Sequence, residues 1–277
     1  MFVCQNESMA SRKLDNKKWA EIYSVLRLTS GIYTKNEANT RRFVEGVYWI
    51  LRTGAPWRDL PGEFGDWNSV YKRFADWSDK EVWVKVHAAF IDDPDMEWLL
   101  LDSTIVRAHP CAAGAPQADK HAEMDDAVEE VMETEHEHAD EALGRSRGGF
   151  TTKIHVTTDA LGNPLRFILT GGQRHDATQA INLLRGFDFS GVIADKAYDF
   201  DELLEFIANN EATLVIPSTK KRSVQREIDD HIYKERHVVE CFINKIKHFR
   251  RVFSRFEKYA SRYLAFLSFA AALIWLR

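Results

Sequence analysis

Hydrophobic residues recur every three or four positions through roughly the first 95 residues, and in short alternating or continuous apolar runs after that. The pattern predicts a helical segment followed by a sheet. Over 16–27, Trp19, Ile22, Tyr23 and Leu26 share one helix face, and Phe43, Val47, Ile50 and Leu51 mark a second helix. Gly54, Pro56 and Pro61 punctuate RTGAPWRDLP at 52–61, after which Val70, Phe74 and Trp77, then Val82, Val86 and Phe90, resume the stripe. Residues 1–95 therefore read as a small all-helical domain with Trp49, Trp57, Trp67, Trp77 and Trp83 in its core. Arg41, Arg42, Arg52, Arg58, Lys72 and Arg73 stand among these rings, and on an exposed helix face they would suit DNA phosphates.

Beyond Pro94 the runs at 98–106 (WLLLDSTIV), 151–158, 165–170, 192–195 and 212–217 have strand character, with helical patterns at 178–187 and 200–207. LGNP at 161–164 is a turn between two of the strands. The order β-β-β-α-β-α-β-α predicts an α/β domain over 96–277 built on a mixed sheet with helical cover. The apolar run at 263–276 is shorter than the roughly 20 residues of a membrane span, so a buried terminal helix is expected. No secretory signal pattern opens the chain, and the three cysteines, Cys4, Cys111 and Cys241, are isolated. A cytoplasmic protein without a disulfide framework is expected.

The net charge of −5 is unevenly spread. Between Asp119 and Glu141 eleven acids face one lysine, whereas between Pro217 and Arg262 thirteen Lys or Arg face six acids. The basic block attracts polyanions and the acidic one repels them. The acidic stretch belongs to an insertion at about 110–147 that has too few apolar residues for a core and contains His121, His136 and His138 without a tight metal-ligand spacing.

Two carboxylates interrupt apolar strands. Asp102 lies inside WLLLDSTIV and Asp195 at the end of GVIAD, where a buried acid needs a partner or a cation. Either one alone could be a cap on the following turn. A third acid adds information. Residues 231–252 read as one long helix, on which Tyr233, Arg236 and Lys247 each fall within about 40° of Glu240. One stripe then carries an acid beside residues suited to phosphates, although Arg236 and Glu240 are also spaced for an ordinary ion pair. Three carboxylates suffice to hold hard divalent cations together with water and phosphate, and a two-ion site of that kind supports in-line phosphodiester displacement.

The chain resembles the bacterial insertion-sequence DDE transposases, especially the group called insertion sequence five. Tyr233, Arg236, Glu240 and Lys247 satisfy every spacing of that family's last signature. RTGAPWRDLP at 52–61, GRSRGGFTTKIH at 144–155 and IADKAYD at 193–199 also look like its motifs, and the likeness runs from about Trp19 to Arg277. The resemblance implies a ribonuclease-H-like catalytic domain with Asp102, Asp195 and Glu240 as catalytic metal ligands. Tyr233, Arg236 and Lys247 would be accessory DNA-binding residues. It further implies Mg2+, with Mn2+ able to substitute, and as partners double-stranded DNA of terminal inverted repeats and target, bound by at least a dimer. The acidic stretch departs from the family pattern. A metal-dependent nuclease without strand transfer and a transposase-derived DNA-binding protein without catalysis are the alternatives.

Overall fold

The computed structural model describes residues 13–112, 141–146 and 149–276. Four helices come first: α1 (Asn16–Leu28), α2 (Glu37–Thr53), α3 (Trp67–Asp79) and α4 (Val82–Ala89). Asp15, Asn36 and Asp66 cap the first three, each carboxylate or amide oxygen accepting from the N–H three residues on. Each cap satisfies a donor that the helix itself leaves unpaired. Gly54 ends α2 with φ of 68°, and a Cβ there would stand 3.0 Å from the Cβ of Arg250. Glycine is required both by the left-handed turn and by the close approach of the C-terminal segment.

The basic residues among the aromatic rings are largely engaged. Arg41 pairs with Glu45 and donates to the Leu14 carbonyl, Arg58 lies over Trp67, and Arg73 lies over Phe43 and Trp77. Arg42 and Lys72 are exposed.

The second part of the chain contains β1 (Trp98–Ala108), β2 (Gly144–Ser146), β3 (Gly149–Thr158), β4 (Pro164–Gly171), β5 (Gly191–Ile193), β6 (Thr213–Val215) and β7 (Ser254–Arg255). Its helices are α5 (Ala180–Leu184), α6 (Asp201–Asn209), α7 (Asp230–Lys234), α8 (His237–Ile246), α9 (Arg250–Phe253) and α10 (Ala260–Trp275). The main strands run β4-β3-β1-β5-β6. β3 is antiparallel to β1 and to β4, whereas β5 and β6 run parallel to β1 and to each other. That mixed sheet is the ribonuclease-H-like arrangement. Residues 178–187 form less helix than their periodicity predicts, because a 3-10 turn at Asp176–Gln179 precedes the short α5.

Strand alternation divides the sheet into two faces. Leu100, Ile154, Val156, Ile193 and Val215 point to one core, and Leu99, Leu101, Val192 and Ala194 to another beneath α5 and α6. The first core is continuous with that of α1–α4, and α10 joins the two. Phe266 stacks on Phe74 at 4.5 Å between ring centroids, and Phe269 meets Trp83 at 4.6 Å. Burying each such ring contributes about 1.5–3 kcal/mol. The apolar C-terminal run is thus the central helix of the core, and among the described residues no helix is long and apolar enough to cross a membrane. Most of the acidic insertion, including His121, His136 and His138, lies outside the described residues.

Candidate active site

Sheet register brings the first two acids together. Leu100 on β1 pairs with Ile193 on the parallel β5. Two residues further along each chain stand Asp102 and Asp195, on the same side as Leu100 and Ile193 by alternation. β5 ends at Ile193, and Asp195 caps the following 3-10 turn, its Oδ1 accepting from the Ala197 N–H at 2.7 Å. The capping role open to Asp195 in the sequence is therefore real, and it leaves the second oxygen uncommitted to that turn.

Glu240 reaches the same face. Val239, Phe242, Ile243 and Ile246 bury α8 in the first core, so the exposed margin of the helix carries Glu240 beside the end of β1. The long helix expected over 231–252 is interrupted twice. At the first break the N–H groups of Arg236 and Val238 bond three residues back, to Tyr233 and Glu235, while the His237 ring contacts the Lys234 carbonyl at 2.8 Å. At the second, His248 and Phe249 likewise bond three residues back, to Lys245 and Ile246. Glu235, Arg236 and Lys247 nevertheless keep right-handed helical dihedrals, which preserves the side-chain stripe.

Arg236 links two of the acids. Its guanidinium forms an ion pair with Glu240 and lies 3.9 Å from Asp102 Oδ2, and it sits over the Tyr233 ring at 6.0 Å. Burial holds the Lys247 ammonium below its ordinary value, and the Asp102 charge opposes that shift. Asp102 shows what the cluster lacks. Burial raises its carboxyl, the Ser103 N–H and Arg236 lower it, Asp195 and Glu240 raise it again, and the balance stands at about 6. A buried carboxylate repelled by two others calls for more positive charge than Arg236 provides.

The donors are hard oxygens of the kind that Mg2+ and Mn2+ take. Among the described residues no three such side chains stand close enough to share an ion, and Arg236 stands against both Asp102 and Glu240. The chemistry of the donor set fits a divalent metal, and seating one requires the Arg236 side chain to turn away.

Sequence reading missed other ionic residues near this site. Asp199, in IADKAYD, has a fully buried side chain that accepts from the Thr219 N–H at 2.7 Å, Arg222 at 2.8 Å and Arg226 at 3.1 Å. It anchors the basic loop after β6. Arg251 and Arg255 are buried, so part of the C-terminal basic block is structural rather than surface charge. On the opposite face of β1, Lys153, Asp176 and Ser103 form a hydrogen-bonded cluster. The available signal was a lysine within TTKIHVTT, a strand buried on both faces.

Comparison with known proteins bears on identity. Residues 14–87 match a family model for transposases of the IS4/5 family, and residues 93–275 match the transposase DDE domain. A Brucella ovis protein assigned as the transposase for insertion sequence element IS6501 is 48% identical over 129 residues, covering 46% of this chain and 99% of that protein. One from Burkholderia cepacia, assigned to insertion sequence element IS402, is 35% identical over 142 residues, 47% of this chain and 64% of that protein. The solved Mos1 strand transfer complex overlaps 81% of this chain and 77% of its own at 9% identity, with a TM-score of 0.27 that is too low to bear on the geometry. The DDE-domain match spans most of the chain, and nearly the whole of the Brucella protein aligns with it: the chain belongs to the insertion-sequence DDE transposases.

Proposed function

We propose that this transposase binds the terminal inverted repeats of its element, cleaves the DNA there and joins the exposed 3′-hydroxyl to target DNA, using Asp102, Asp195 and Glu240 to hold Mg2+. The observation that carries the reading is the pairing of Leu100 with Ile193 on neighbouring parallel strands, two residues before Asp102 on β1 and Asp195 in the turn after β5, beside the helix face that bears Glu240. Bound among these carboxylates, divalent cations supply positive charge that activates the attacking oxygen and stabilises the leaving one. The protein's own groups do the rest. Ser103 and Ala197 N–H groups orient the two aspartates. Arg236 exchanges its contacts with Asp102 and Glu240 for a DNA phosphate, which its planar fork suits. Lys247 and Tyr233 contact the backbone on either side. The N-terminal segment over 1–95 recognises the ends, with Arg42 and Lys72 exposed for phosphates, and two copies act on paired ends. Mn2+ substitutes for Mg2+.

The test is purified protein with labelled terminal-repeat DNA, Mg2+ and a target plasmid. Nicked ends and joined products are expected from the wild type, and neither from Asp195→Ala. Identical products from both proteins would refute the site, while cleavage without joining would identify a nuclease.

A further inference from the structure

Behind Asp102, on the other face of β1, lies a cluster to which the proposed chemistry gives no direct part. β1 pairs with β3 so that Ser103 is opposite His155 and Ile105 opposite Lys153. Ser103, Lys153 and His155 therefore share the face turned away from the three acids. Ser103 Oγ donates to Asp176 Oδ1 at 2.6 Å, and Lys153 Nζ donates to the same oxygen at 2.7 Å and to the Arg174 carbonyl at 2.5 Å. The lysine side chain is 9% exposed and the aspartate 28%.

The backbone of Ser103 faces the other way. Its N–H donates to Asp102 Oδ1 at 2.7 Å. A continuous chain of contacts thus runs from Lys153 through Asp176 and Ser103 to the Asp102 carboxylate. We propose that Lys153, Asp176 and Ser103 are positioning residues that fix the orientation of Asp102 through the sheet, so that its Oδ2, which faces Arg236, is aimed at the metal position. Holding the Ser103 hydroxyl fixes the peptide between residues 102 and 103, and with it the N–H that Asp102 accepts. The ion pair is only part-buried, and such pairs add little to stability, so its use beneath a functional strand points to orientation. Partners behind a metal-binding side chain set its geometry in this way.

The inference rests on the assignment of Asp102 as a metal ligand, and the experiment separates the two. Full-length wild type, Ser103→Ala, Asp176→Asn, the double variant Lys153→Met with Asp176→Leu, and Asp102→Ala are compared by Mn2+ calorimetry, end-DNA cleavage kinetics and thermal unfolding. Ser103→Ala removes one hydroxyl and keeps the ion pair, so it retains the fold. Ser103→Ala and Asp176→Asn should bind Mn2+ about 10–100-fold more weakly and lose kcat by a similar factor, with end-DNA affinity unchanged. The apolar double variant should melt no lower than wild type yet show the same loss, which a purely structural pair would not produce. Wild-type Mn2+ affinity and kcat in these variants, alongside lost Mn2+ binding in Asp102→Ala, would overturn the positioning role alone. Unchanged Mn2+ binding in Asp102→Ala as well would overturn both readings.

Discussion

Asp102→Asn should make the metal-free protein more stable while ending DNA cleavage. In the unfolded chain an aspartate titrates near about 3.9, whereas the folded carboxyl stands at about 6, chiefly through burial. The side chain is 20% exposed, so solvent screens the shift only in part. A difference of about 2 units corresponds to as much as about 3 kcal/mol. Its sign follows from proton binding: the folded state takes up the proton more readily, so stability is greatest at low pH. It falls as pH rises from about 4 to about 6, and the full cost persists above that. Asn keeps an acceptor for the Ser103 N–H and removes the charge. Urea unfolding at about pH 8 without divalent metal should show the variant more stable by up to about 3 kcal/mol, with the gain vanishing near pH 4. Adding Mg2+ should stabilise wild type and leave the variant unchanged. A variant that is neutral or destabilised at pH 8, or equally stabilised at pH 4, would refute the idea of an uncompensated acid cluster.

Arg251→Met should lower stability by about 3–5 kcal/mol in urea unfolding, because the buried Glu257 loses its ion-pair partner. That pair stands at 2.7 Å, and the same arginine donates to the Ala55 carbonyl at 3.2 Å, tying the helical segment to the C-terminal one. Lys247→Met should weaken binding to DNA of any sequence and reduce the slope of log affinity against log salt by about 1; an unchanged slope would remove Lys247 from the interface. Burial holds His87 and His155 down at about 4. Both fold as neutral rings, so the stability they contribute is present above the ordinary imidazole range and lost as pH falls from about 6.5 towards 4. In the Asp102→Asn variant, which lacks the opposing titration of that carboxyl, denaturant midpoints should fall across that window, and a flat profile would contradict the burial of these rings.

The helical segment and the principal strands were legible because their apolar periods differ. Trp19, Ile22 and Leu26 repeat as a helix face, whereas WLLLDSTIV reads as a strand. The continuity of the helical core with the sheet was not legible, since it depends on α10 lying between them, and an all-apolar helix does not state which neighbours it meets. The breaks around Arg236 and Lys247 escaped periodicity because the residues remain helical in dihedral angle and change only the bonding step. For the site, Glu240 and its stripe carried a signal. The nearness of Asp102 and Asp195 follows from the pairing of Leu100 with Ile193, two residues before each acid, which no pattern in the sequence states. Asp176 was invisible for a different reason: its partners, Lys153 and Ser103, are distant in sequence and meet it only across the folded sheet.

The claim that Asp102, Asp195 and Glu240 form one metal centre is tested most directly by replacing Mg2+ with Fe2+ and mapping where locally generated radicals cut the polypeptide. The account predicts cuts near residues 102, 195 and 240 together, suppressed by excess Mg2+ and lost from all three segments in Asp195→Ala. Cuts confined to one of these segments, or a pattern unchanged in Asp195→Ala, would contradict it.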